Sequence, residues 1–280
     1  MSIAGAKSSG TAVTQVDVFT DEPYTGNPAG VCILDQSRDD IWMSRVAREM
    51  ACANTAFAQR RADGDGFDLR WFTGGGIEVD LCGHATLATA HVLYEQKVLS
   101  EDQPARFYTR GGVLTAWRRA GSGIETDFPL EIASPCEPPP TLLTGLGAEP
   151  VWIGRNRLDY VVEVASEDVL RSLKPDLHAL APIDTRGIVV TARAAAPQLS
   201  RYDYVLRFFG PRVGIPEDMV TGTAHCALAP YWREKFADGR SVFTAFQASP
   251  RGGFVSVRLE GDRVMIGGNA VTVLHGQLLA

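Results

Sequence analysis

A nine-residue segment occurs twice, and this repetition limits the folds open to the chain more than any other feature. Cys82-Gly83-His84-Ala85-Thr86-Leu87-Ala88-Thr89-Ala90 and Thr221-Gly222-Thr223-Ala224-His225-Cys226-Ala227-Leu228-Ala229 align at an offset of 139 residues (221 less 82), agreeing at the glycine and at three alanines. Glu217 stands opposite Glu78 at the same offset. Upstream, Leu69-Arg70-Trp71-Phe72 has a counterpart in Leu206-Arg207-Phe208-Phe209, with two residues of slippage. In a chain of 280 residues, an offset near the midpoint implies duplication into two similar domains.

Each copy reads as a turn followed by a helix. Glycine permits an unusual backbone angle or a close approach, and His84 to Leu93 is rich in alanine and leucine and free of proline. A helix opening on glycine and small residues leaves its first N–H groups unpaired at the positive end of the dipole, which suits a bound carboxylate. Pro230 falls inside the second helix and predicts a kink or an early end there.

The remaining segments are mostly short strands. Val13–Phe19, Ala29–Leu34, Phe67–Phe72, a hairpin from Arg106 to Arg119 and Ile124–Phe128 fill the first half, with one helix capped by Asp39 or Asp40 and running to about Ala51. Residues 1 to 11 are small and polar and are expected to fray, and Pro135 to Pro140 is the best linker. Val151–Ile153, Tyr160–Val164, Ile188–Thr191, Tyr202–Phe209, Val242–Ala248, Phe254–Leu259, Arg263–Ile266 and Ala270–Leu274 follow, with a short helix capped by Ser166. Many short strands around few helices predict an α+β fold of two similar domains. Each is a β-barrel-like sheet wrapped around a central helix, over 12–130 and 141–280, with the chain end free to return to the first domain.

The net charge of −6, without a basic block, argues against nucleic acid as a partner. No apolar run is long enough to span a bilayer and the first ten residues lack a signal-peptide core, so no membrane partner and a cytoplasmic location are expected. Five widely spaced cysteines without a Cys-x-x-Cys pair read as reduced thiols rather than a disulfide framework or a zinc site.

Asp17-Val18-Phe19-Thr20, Gly26-Asn27-Pro28, Asp80-Leu81-Cys82-Gly83-His84-Ala85-Thr86-Leu87-Ala88, Gly214-Ile215-Pro216-Glu217-Asp218 and Val220-Thr221-Gly222-Thr223-Ala224-His225-Cys226 together resemble the PhzF-like phenazine-biosynthesis family, over about Val13 to Leu278. The resemblance implies a diaminopimelate-epimerase-like fold with the site in a cleft between two domains, a homodimer, no cofactor and no metal. The implied activity is isomerisation of an unsaturated cyclic amino acid by a proton shift. Relatives in antibiotic pathways, some acting on proline-like amino acids, make a small carboxylate or amino acid the expected substrate.

Carried over by position, the resemblance puts His84, Asp218 and Thr223 at the site, with Gly83 and Gly222 offering N–H groups to a substrate carboxylate. Moving a proton beside a carboxylate needs a base, an acid and donors that hold the developing charge. His84 titrates near neutrality in ordinary surroundings. Each residue also has a plain structural reading, His84 as a cap or hydrogen-bonded core residue and Asp218 as a turn residue. The chain departs from the family at the Ser-Glu-Thr-x-Phe motif that carries the usual catalytic Glu, because Ala53-Asn54-Thr55-Ala56-Phe57 stands there. Asn54 cannot carry a proton, although its amide can bind a ligand. Gly74-Gly75-Gly76-Ile77 is one residue longer than the usual loop, and Met219 and Asn269 replace a frequent Pro and Arg.

Three function classes follow. The first is an isomerase using His84 and Asp218. The second is an epimerase, which would need two opposed thiols where this chain has Cys82 and Thr221. The third is a binding protein without chemistry. A metal site from Cys82, His84, His225 and Cys226 carries little weight, because the spacings do not follow helical ligand geometry.

Overall fold

The computed structural model describes residues 10–119, 123–195 and 201–279. Its strands are β1 (Thr11–Val18), β2 (Asn27–Leu34), β3 (Asn54–Arg60), β4 (Phe67–Thr73), the stub β5 (Glu78–Val79), β6 (Ala105–Thr109), β7 (Gly112–Arg118), β8 (Ile124–Pro129) and β9 (Ser134–Pro135). They continue as β10 (Pro150–Arg155), β11 (Asp159–Val164), β12 (Gly187–Arg193), β13 (Tyr204–Phe209), β14 (Val242–Gln247), β15 (Gly253–Glu260), β16 (Arg263–Gly268) and β17 (Ala270–Leu278). The helices are α1 (Asp40–Met50), α2 (Gly83–Glu95), α3 (Pro140–Leu146), α4 (Glu167–Ser172), α5 (Leu177–Leu180) and α6 (His225–Phe236).

The two halves meet where β8 pairs antiparallel with β16. Outward from β8 the order is β7, β6, β4, β3, β2, β1 and β17, with pairings antiparallel, antiparallel, parallel, antiparallel, parallel, antiparallel, antiparallel. Outward from β16 it is β15, β14, β13, β12, β11, β10 and β9, in the same sequence of senses. This is the pseudo-two-fold α+β architecture that the repeat implies. Each half gives its last strand away: β9 follows β8 in sequence but pairs with β10, and β17 follows β16 but pairs with β1.

Each half wraps a helix. In α2 every residue from Gly83 to Tyr94 is buried, so the alanine-rich composition is that of a helix enclosed all round. Thr86 and Thr89 tolerate this burial because their hydroxyls donate to the carbonyls of Cys82 (2.6 Å) and Ala85 (2.7 Å), one turn back. The inward residues of β3, Ala56 and Ala58, join Leu87, Ala88 and Val92 in the main core.

Three expectations need correction. Helix α6 neither ends at Pro230 nor starts at Gly222: Gly222–Ala224 form a 3₁₀ turn, and the α-helix then runs to Phe236. Proline inside a helix costs about 3 kcal/mol, partly through the lost i−4 bond. Here the Cys226 carbonyl so released accepts the Glu131 N–H at 3.1 Å, which offsets part of that cost. The proline-rich segment is not a bare linker, because Pro135 lies in β9 and Pro140 opens α3, where a missing N–H does no harm. Of the residues expected to fray, 1–9 lie outside the described residues, while Thr11 already pairs with Leu278.

Candidate active site

Each repeated segment is delivered by an arginine–glutamate clamp. Arg70 on β4 holds Glu78 through two bonds of 2.7 and 2.8 Å, just before the turn into α2. Arg207 on β13 holds Glu217 through two bonds of 2.7 and 2.9 Å, just before the turn into α6. The arginines of the paired Leu-Arg-aromatic-Phe segments thus share one task, anchoring the backbone ahead of each helix, while their apolar neighbours fill the cores. Cys82 and Thr221 occupy the two N-cap positions with extended backbone. Neither start has a side-chain cap bond or an acidic residue in its first turn, which leaves first-turn N–H groups for an incoming anion.

The two starts lie against each other. A β-carbon built on Gly83 would lie in ordinary contact with Thr223 Cγ2 at 3.6 Å, which shows the two turns adjacent, whereas one on Gly222 would crowd the Phe19 ring at 3.1 Å, so the close fit needs glycine only at the second start.

His84 is 7 % exposed, its Nδ1 lies 3.6 Å from Cys82 Sγ, and its Nε2 has no partner among the described residues. Burial lowers its pKa from the ordinary value, and the nearby charge of Asp218 opposes this only in part, so the ring is neutral rather than poised near neutrality. Asp218 accepts from Asn27 Nδ2 (2.9 Å) and Thr221 Oγ1 (2.6 Å). Its backbone is fixed by Phe208 O (3.0 Å) and by Gln247 Nε2 (2.7 Å). Asn54 opens β3 opposite Ala29 of β2, so its side chain points inward at the same end of the sheet as Asn27, two residues before Ala29. It is 8 % exposed, and among the described residues its amide has no hydrogen-bond partner.

The structure therefore brings His84, Asp218, Gly83, Gly222 and Thr223 to one junction and sets Asn54 at the mouth of the first sheet. Sequence reasoning missed three residues here. Arg186 donates to Thr223 Oγ1 at 3.0 Å while pairing with the buried Asp159 through two bonds, and its Asp159 partner holds its pKa up against burial. Gln247 accepts the Thr221 N–H at 2.7 Å and ties the turn between Asp218 and Thr221. Asn27 had a signal, in the Gly26-Asn27-Pro28 motif, but Arg186, in the turn before β12, and Gln247, in a strand-like run, had none. His225 is a core residue: its Nδ1 lies 2.8 Å from the Tyr204 hydroxyl, and burial pulls its pKa down to about 3. Three surface cavities lie around Pro230 and Arg233, around Trp152 and Tyr231, and beside Phe19, Arg119 and Asn269. None of these three is lined by His84, Asn54 or Asp218.

Residues 16–276 match the family model described as phenazine biosynthesis-like protein, PhzC-PhzF. A protein of Halalkalibacterium halodurans named as an uncharacterized isomerase is 50 % identical over 96 % of this chain and 98 % of its own. The crystal structure of a PhzF-family phenazine biosynthesis protein from Enterococcus faecalis superposes with a TM-score of 0.88 at 33 % identity, covering 96 % of this chain and 98 % of that one. A hydroxyproline epimerase from Agrobacterium vitis, solved with bound trans-4-hydroxy-L-proline, shares the fold with a TM-score of 0.63 at 11 % identity, over 96 % of this chain and 91 % of its own.

Proposed function

The chain belongs to the phenazine biosynthesis-like family, PhzC-PhzF, and from that premise we propose that it is an isomerase moving a proton, and with it a double bond, in a small unsaturated amino acid or carboxylate. The observation that carries the reading is the junction of the two helix starts, where His84 and Asp218 share one electrostatic environment. In this reading the first-turn N–H groups at Gly83 and Gly222, with the Thr223 hydroxyl, receive the substrate carboxylate. Asp218 takes the proton from one carbon and returns it to another, while His84 faces the charge that develops between those steps. Asn54, in place of the family's Glu, orients the ligand.

An epimerase working through two opposed thiols has less support. Thr221 stands where the second thiol would be and its hydroxyl is already given to Asp218, while burial pushes the Cys82 thiol up to about 12. The test is deuterium incorporation from solvent, screened over small unsaturated amino acids. Incorporation with a shifted double bond supports the isomerase, and incorporation with inverted stereochemistry replaces it with the epimerase. Saturable binding without exchange sinks both. With a substrate in hand, Asp218→Asn should collapse turnover while binding survives within about tenfold, or about 1.4 kcal/mol.

A further inference from the structure

We infer that Cys82 is a positioning residue that fixes His84 in the tautomer protonated on Nε2, so that the imidazole meets its ligand as a hydrogen-bond donor. The two side chains form a buried pair two residues apart, with Sγ 3.6 Å from Nδ1. The backbone imposes that geometry: Cys82 is the extended N-cap of α2 and His84 lies in its first turn. A thiol is a weak donor and a weak acceptor, whereas a bare imidazole nitrogen is a good acceptor, so the favoured pairing runs from S–H to Nδ1.

A neutral imidazole carries one proton, and if Nδ1 accepts, that proton is on Nε2. Both conditions hold. Burial keeps the ring neutral, and burial keeps the thiol protonated. Nε2 is itself buried and has no partner among the described residues. Buried polar atoms are almost always paired, so an unpaired N–H beside two uncapped helix starts calls for an acceptor brought by the ligand, such as a carboxylate or enolate oxygen. The consequence for the reaction, which rests on the isomerase reading, is that His84 stabilises the developing negative charge and leaves the moving proton to Asp218. No proton need leave Cys82, and the ring need not pass through an imidazolium.

The tautomer can be read in the free protein, without a substrate, so its failure and the failure of the isomerase reading are distinguishable. Long-range proton–nitrogen correlation spectra of uniformly ¹⁵N-labelled protein separate the two tautomers, and His84→Gln identifies the His84 signals among the five histidines. In the wild type, Nε2 should resonate as the protonated nitrogen and Nδ1 as the bare one. Cys82→Ala should move both nitrogens toward the averaged positions of a ring exchanging between tautomers, whereas Cys82→Ser, which keeps a donor, should retain the wild-type pattern. A wild-type spectrum with the proton on Nδ1 overturns the inference. So does a Cys82→Ala spectrum with unchanged His84 nitrogens, or a loss in Cys82→Ser equal to that in Cys82→Ala.

Discussion

Asn27 donates to Asp218 through a 2.9 Å hydrogen bond that joins residues 191 positions apart, one in each half of the chain. The same Nδ2 also donates to the Val220 carbonyl at 2.7 Å, so one fully buried amide fixes both the Asp218 carboxylate and the backbone after it. Replacing Asn27 by Ala leaves both acceptors short of a donor. The expected loss is about 1–3 kcal/mol of unfolding free energy, measured by urea denaturation, together with a fall in turnover once a substrate is known. Unchanged stability would mean that the bond contributes nothing across the junction.

The two arginine–glutamate clamps look alike but should not weigh alike. Arg70 is 27 % exposed and keeps Asp40 at 2.8 Å if Glu78 is lost. Arg207 is 12 % exposed and would keep no carboxylate among the described residues, its nearest remaining acceptor being the Leu173 carbonyl at 2.8 Å. A guanidinium stranded further from water costs more, so Glu217→Ala should destabilise by about 2–4 kcal/mol and Glu78→Ala by less than half as much. Equal losses in urea denaturation would refute the ranking.

These clamps also show what the sequence made legible. Paired copies of Leu-Arg-aromatic-Phe, of Glu and of the glycine-started helix are visible because duplication preserves residues whose partners are local: Arg70 and Glu78 are eight apart, Arg207 and Glu217 ten. The repeat and the period-two runs together anticipate two sheets, each around one helix. The return of the chain end, β17 beside β1, was allowed for, but the crossing of β9 to β10 left no mark, since a strand's residues report its burial and not its neighbour. Arg186 and Gln247 were invisible for a related reason. Each acts through partners distant in sequence, Thr223 at 37 residues and Thr221 at 26, and neither residue type is unusual in its place. Pro230 misled because the donor that compensates it, Glu131, lies in the other half of the chain.

His225 gives the fold an acid-side weakness. Its folded pKa, about 3, lies below an unfolded value of roughly 6.5, so the unfolded chain binds the proton first. The stability it permits is complete above pH 6.5 and declines as pH falls toward 3. Between pH 7 and pH 5 the loss from this residue should be about 2 kcal/mol. His225→Gln, compared with the wild type by urea denaturation at both pH values, should flatten the decline by that amount. Parallel curves would show that the ring is not held neutral by its burial.

Asn54 offers the sharpest separation of function from stability. Most buried amides contribute to folding through hydrogen bonds, and removing them destabilises. The Asn54 amide is 8 % exposed yet has no partner among the described residues, so what Ala would forfeit is packing and not a hydrogen bond. Asn54→Ala should therefore cost only the packing of a truncated side chain, within about 1 kcal/mol of the wild-type unfolding free energy. If the amide instead serves a ligand, the same change should weaken binding by about 1–3 kcal/mol, the cost of leaving a ligand polar atom unpaired in a closed site. Calorimetric titration with a turned-over substrate reads the second quantity and urea denaturation the first. A large loss of stability with unchanged affinity would make Asn54 a structural residue, and the replacement of the family's Glu would then have no bearing on what the site binds.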